Sequence, residues 1–147
     1  MSNRLPTVGG DFGNWGSVLT SYLLSEHNAD GTHSLSTGLV TDVVNTQSSV
    51  GSAYSLPPPT TAGINYLTLT ASCTLTFPTA VAGQSFTLVL KQGGTGSYTV
   101  IWPAGIVKWE NGAAPALTTA VGGIDVFAFL SVDGANWFGF ASGQNIK

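Results

Sequence analysis

Charge is the scarcest feature of this chain. Lys, Arg, Asp and Glu make up 7% of its 147 residues, against roughly 25% in an ordinary soluble domain. Four Lys and Arg against seven Asp and Glu leave a net charge of −3. So few cations form no basic patch, which excludes nucleic-acid binding through phosphates. Cys73 is the sole cysteine, so no internal disulfide framework exists. No apolar run reaches the roughly 18 residues that a membrane-spanning helix needs. The first residues, MSNRLPTVGG, hold no apolar signal core, and the chain has no N-x-S/T glycosylation site. The expectation is synthesis and assembly in a cytoplasm, without membrane insertion.

What is present is 43% hydrophobic residues and 19 glycines, with Thr, Ser and Asn supplying polarity. So little charge predicts a surface buried largely against other chains. A secreted, Thr/Ser-rich monomeric β-sandwich is the alternative. The length suits one domain plus an appendage.

The chain divides into three stretches. Residues 1–33 carry Trp15, Val18, Leu19, Tyr22 and Leu23, spaced as one face of a helix. Asn14 is a natural N-cap, and EHNADGTH supplies the stop, giving a helix over about residues 14 to 26. A helix so short is unstable alone in water, so its apolar face must dock. Residues 34–62 are polar and small, with Pro57-Pro58-Pro59 enforcing an extended course. They read as an arm and linker. Residues 63–147 read as β. Leu67 and Leu69 share a face, as do Phe86, Leu88 and Leu90, and as do Tyr98, Val100 and Trp102. GGTG at 93–96 and Asp133-Gly134 both read as hairpin turns. IDVFAFLSV is apolar on both faces, which predicts burial on both sides. No sequence repeat is evident.

Several short motifs invite chemistry. GGTGS at 93–97 has the look of a phosphate loop, but a strand follows it rather than a helix N-terminus. Cys73 lacks an adjacent base, since both histidines, His27 and His33, lie near the N-terminus. HNADGTH offers imidazole and oxygen ligands, yet fits a helix-terminal turn better than a metal site. Asp125 sits alone in an apolar strand and makes no acid/base pair; hydrogen bonds from loop backbone or a neighbouring subunit are its expected use. Tyr98, Trp102, Trp109 and Trp137 are candidate contacts for a glycan, because aromatic rings stack on sugar faces. They fit core and interface positions equally well. No catalytic residue, metal ligand or cofactor is expected.

Two stretches carry a resemblance. LPTVGGDFGNWGSVLTSYLLSEHNADGTH resembles the N-terminal segment of many bacteriophage virion proteins, among them tail-fibre, minor tail and head-fibre proteins. The points of likeness are the glycine turn, the W-G helix and the EHNADGTH exit. The part holding GTGSYTVIWP, VKWENGAAP and DVFAFLSVDGANWFGF resembles a β module of phage fibre and receptor-binding proteins. The resemblance implies a homotrimeric, non-enzymatic component of the virion, partnered by capsid, portal or tail proteins and by a bacterial surface glycan. Trp15, Val18, Leu19, Tyr22 and Leu23 would be the docking or oligomer contacts. The expected fold is mainly β: a short N-terminal helix and extended arm, then a trimeric antiparallel β-sandwich or barrel-like module. A carbohydrate-binding β-sandwich is the alternative function.

Overall fold

The structure is a computed structural model that describes residues 42–147. The expected helix on Trp15, Val18, Leu19, Tyr22 and Leu23 and the HNADGTH turn lie outside the described residues. From Asp42 onward the chain is one compact unit, and it is mainly β.

Six strands alternate between two sheets. β1 (Val44–Val50), β3 (Ile64–Leu69) and β5 (Ser85–Gln92) enter the larger sheet. β2 (Ala53–Ser55), β4 (Cys73–Thr76) and β6 (Val100–Ile101) form the smaller one. Every pairing within these two sets is parallel. The chain therefore winds as a coil of three turns. Val44 lies opposite Ile64, and Ile64 opposite Thr87, so successive turns take 20 and then 23 residues. The coil ends where β8 (Ile124–Leu130) pairs antiparallel with β5 and β9 (Trp137–Ile146) pairs antiparallel with β8. β7 (Val107–Trp109) closes the far edge, parallel to β9. The larger sheet runs β1-β3-β5-β8-β9-β7.

This architecture corrects three expectations. The module is a mixed-sheet structure, not an antiparallel one. The expected arm at 34–62 is, from residue 42, the first turn of the coil, and the β unit begins well before Gly63. GGTG at 93–96 is not a hairpin tip, because β5 and β6 belong to different sheets. The chain crosses between sheets there, and Gly93 is needed because a Cβ would sit 2.6 Å from the Leu69 carbonyl oxygen. The Asp133-Gly134 hairpin does form, joining β8 to β9. Three structural turns thus exist without a sequence repeat.

Alternation along the strands decides which side chains meet. Leu67 and Leu69, Phe86, Leu88 and Leu90, Phe127 and Phe129, and Trp137 all bury between the sheets. Val50, Leu56, Cys73, Leu75 and Phe77 complete that core. Phe77, Phe86 and Phe129 pack within 5.4 Å of one another, centroid to centroid. Gly139 makes space for the cluster. A Cβ there would lie 2.7 Å from the Trp109 ring and 2.8 Å from Phe129.

The two outward faces differ. The smaller sheet shows Ser55, Thr74 and Thr76, with Ile101 its one large apolar side chain. The larger sheet shows register-matched rows. One runs Val44, Ile64, Thr87, Ala128, Phe140. The next runs Thr46, Tyr66, Val89, Val126. β8 is thus buried on one face only. Ile124, Val126 and Ala128 are half-buried, and Leu130 is exposed, because nothing within this unit packs on that side.

The crowding at Gly139 gives a direct test. Gly139→Ala should destabilise the unit by about 1–3 kcal/mol, the usual cost of overpacking a filled core. Thermal unfolding of the variant against the parent measures this, and an unchanged midpoint would contradict the contact.

Candidate functional site

The chemistry-bearing groups are best judged by what already occupies them. Asp125 is buried, and its carboxylate is filled. Thr118 N donates to Oδ2 at 2.6 Å, Thr118 Oγ1 to Oδ1 at 2.6 Å, and Asn145 N to Oδ1 at 3.0 Å. It ties the 113–123 loop and the end of β9 to the sheet, which is the loop-backbone role expected of it. Cys73 is buried, and burial pushes its thiol above the usual range. Both histidines lie outside the described residues, and burial is the cause of the shift at Cys73. Among the described residues no three of His, Cys, Asp and Glu come together.

The crossing at 93–97 is held from within. Gln92 is buried, and its amide pairs with Tyr98 as a strand would: Nε2 donates to Tyr98 O at 2.8 Å, and Tyr98 N donates to Oε1 at 3.0 Å. Gly94 and Gly96 adopt φ of 48° and 72°, a region that glycine enters without steric cost. The backbone amide of Ser97 is spent on Thr119 O, and that of Gly96 on Gly93 O. Those two amides are therefore not free to cradle a phosphate.

The four candidate aromatics separate. Trp137 is fully buried, and its Nε1 donates to Pro78 O at 2.9 Å. It has no face for a ligand and belongs to the core. Tyr98 leans on the core, its hydroxyl 3.3 Å from Thr95 Oγ1. Trp102 and Trp109 come together edge to face, with centroids 5.0 Å apart, and both pack on Phe127. Trp109 alone also borders a cleft of about 220 Å³ with Glu110, Asn111, Pro115 and Phe140. Asn111 and Gly112, in the turn that follows β7, take φ of 54° and 74°. A ring, a carboxylate, an amide and the half-exposed Phe140 can stack on a small neutral ring and hydrogen-bond its hydroxyls.

Sequence reasoning missed Glu110, Asn111 and Phe140, since their meeting depends on β7 returning to the far edge of the sheet. It also missed Gln92, whose place directly before the glycine run is the only local signal. A further pair escaped notice. Asn45 Nδ2 donates to Asn65 Oδ1 at 2.9 Å and to Tyr54 Oη at 2.9 Å, which links the first two turns of the coil. Asn65 Nδ2 is buried without a partner among the described residues. The residue opposite it on β5 is Leu88, so the amide ladder stops there.

No family model, curated protein or solved structure matches this chain. No helix among the described residues is long and apolar enough to cross a membrane.

The β8–β9 loop supplies a prediction in pH. The Asn136 side-chain amide, with the Ala135 and Asn136 backbone N–H groups, holds the Asp133 carboxyl down to about 2 from its ordinary 3.8. A carboxyl depressed on folding adds stability above its unfolded value, and that stability is lost as pH falls towards the folded one. Wild type should therefore melt higher than Asp133→Asn at neutral pH. The gap between the two melting curves should close between pH 3.8 and about 2. A gap independent of pH would remove the charge from the explanation.

Proposed function

We propose that this protein is a structural component of a bacteriophage particle: a short fibre, spike, decoration protein or fibre adaptor. It assembles as a homotrimer, docks on other virion proteins through residues 1–33, and projects the β unit. The observation that carries this reading is the fate of the polar groups. Asp125, Gln92 and Asn45 are consumed by the fold's own hydrogen bonds, while β8 turns Ile124, Val126, Ala128 and Leu130 to the outward face of the larger sheet. A unit organised in this way is equipped to be packed against rather than to turn over a substrate. The likeness of the N-terminal segment to phage virion proteins supplies the particle.

Removing residues 1–41 tests the docking role. Cutting at 41 rather than 62 spares β1 and β2. The remaining unit should keep its strand content by circular dichroism yet be absent from purified particles. Particles that incorporate the shortened chain normally would move the attachment surface to the β unit.

A second reading rests on the Trp109 cleft: the β unit binds a bacterial surface glycan. Glu110 is exposed, so Glu110→Ala leaves stability within about 0.5 kcal/mol. Under the purely structural reading it also leaves binding to host-surface polysaccharide unchanged in a retention assay. Retention by wild type that the variant loses, at equal melting temperature, would establish the glycan role.

A further inference from the structure

The turn that follows β7 holds the pair Asn111-Gly112. A side-chain amide is most open to attack by the next backbone nitrogen when glycine follows, because glycine has no side chain to shield that nitrogen. Among the described residues Asn111 is the one asparagine that precedes glycine. Asn45, Asn65 and Asn136 have their side chains engaged by hydrogen bonds. Asn111 is exposed, and its side chain makes no hydrogen bond among the described residues. Asn145 is the natural comparison. It too is exposed, and its φ of 53° matches the 54° of Asn111. It differs in being followed by the β-branched Ile146, and in its backbone N–H, which the Asp125 carboxylate holds at 3.0 Å.

We propose that Asn111 is a site of spontaneous deamidation, a covalent change that remakes the charge of the Trp109 cleft. The Gly112 nitrogen attacks Cγ of Asn111. The N–Cγ bond forms and the Cγ–Nδ2 bond breaks. The departing nitrogen takes the proton from Gly112 N and leaves as ammonia. The product is a cyclic succinimide, which water opens at either carbonyl. Opening at Cγ gives aspartate. Opening at the backbone carbon gives isoaspartate, in which the main chain runs through Cβ and Cγ. Nothing is oxidised or reduced, and water is the only co-reactant.

The geometry of the turn sets the barrier. A ψ of 18° at Asn111 points the Gly112 nitrogen away from Cβ, so the 111–112 peptide must rotate before attack. Two features ease that rotation. Beyond its chain neighbours, no atom lies within 4 Å of where a Gly112 Cβ would stand, so the pivot is surrounded by open space. The turn closes through Ala113 N donating to Glu110 O at 3.4 Å, longer than the roughly 2.7–3.2 Å of an ordinary N–H···O bond. An exposed turn closed so weakly opens locally at little cost in free energy.

The consequence falls on the cleft. Glu110 and Asn111 both line it, so conversion sets a second carboxylate beside the first. Isoaspartate also lengthens the main chain between Trp109 and the wall made by Ala113 and Pro115. The change follows a clock set by the turn, and it stands whether or not the cleft takes a glycan.

The test uses the full chain, held folded in warm, mildly alkaline buffer, where the attacking nitrogen gives up its proton more readily. The aged protein is then cleaved after lysine. Lys108 puts Asn111 near the start of the peptide 109–147, which also carries Asn136 and Asn145. Tandem mass spectrometry reads the exchange of amide for carboxyl at each position. Asn111 should convert at least about tenfold faster than Asn145, since matching φ is followed by glycine in one case and a β-branched residue in the other. Asn111→Gln has a longer side chain that cannot close the same ring, and it should keep its amide over the same period. Equal rates at Asn111 and Asn145 would overturn the inference. A glutamine at 111 that converts as fast as the asparagine would do the same, because plain hydrolysis would replace ring closure. So would a folded chain that keeps its Asn111 amide while the chain unfolded in urea loses it, since the turn would then shield the residue.

Discussion

A strand that lies parallel to its predecessor must first be carried back to the end where the predecessor began. This unit meets that constraint by sending the return through a second sheet. Each passage along the larger sheet is followed by a shorter one along the smaller sheet. The rest of the architecture follows. The two sheets face each other because the same turns belong to both. The core lies between them because every turn contributes side chains to it from two directions. The connections cross the gap at both ends, which explains why the tightest backbone approaches, at Gly93 and at Gly96 against Thr119 O, are in connections and not in strands.

Much of this was legible in the sequence at the level of faces. Period-two alternation puts Leu67 with Leu69, and Phe86 with Leu88 and Leu90, on one side, and they share the core. The direction of pairing was not legible. Alternation reports which way a side chain points and is blind to whether the neighbouring strand runs up or down. GGTG between two β runs is locally indistinguishable from a hairpin tip, and only its partners reveal a crossing. The parallel partners in the larger sheet lie 19 to 23 residues apart, too far for any turn motif to announce them. β1 resembles an arm in sequence because its inward residues, Asn45 and Gln47, are amides that pair with each other at 3.1 Å, so it lacks the apolar alternation of its neighbours.

The same limit governs the candidate site. Trp109 could be singled out as an aromatic near a turn, but its cleft is made by Glu110, Asn111 and Phe140, which meet only through the return of β7 to β9. Trp137 looked equivalent to Trp109 in sequence. The difference is that Pro78 O receives the Trp137 indole N–H deep between the sheets, whereas Trp109 is at the end of the edge strand. Asp125 shows the opposite case. A lone carboxylate in an apolar strand must find donors, and the sequence logic that assigned it loop backbone follows from the cost of leaving it unpaired.

The order in which the strands leave the ribosome has a consequence for folding. β1, β3 and β5 can wind as they emerge, since each pairs with the strand one turn before it. The second edge of β5 stays open until β8 appears more than 30 residues later. β8 is in turn partnered by β9, which follows it directly through the short Asp133 loop. Local pairing of this kind forms quickly, whereas closure onto β5 brings together distant parts of the chain. The nascent unit thus passes through a stage in which an unfinished sheet presents a bare edge, a template for strand addition by another nascent copy. Arrival of the β8–β9 pair, Ile124–Leu130 and Trp137–Ile146, ends that exposure and commits the unit to its own fold.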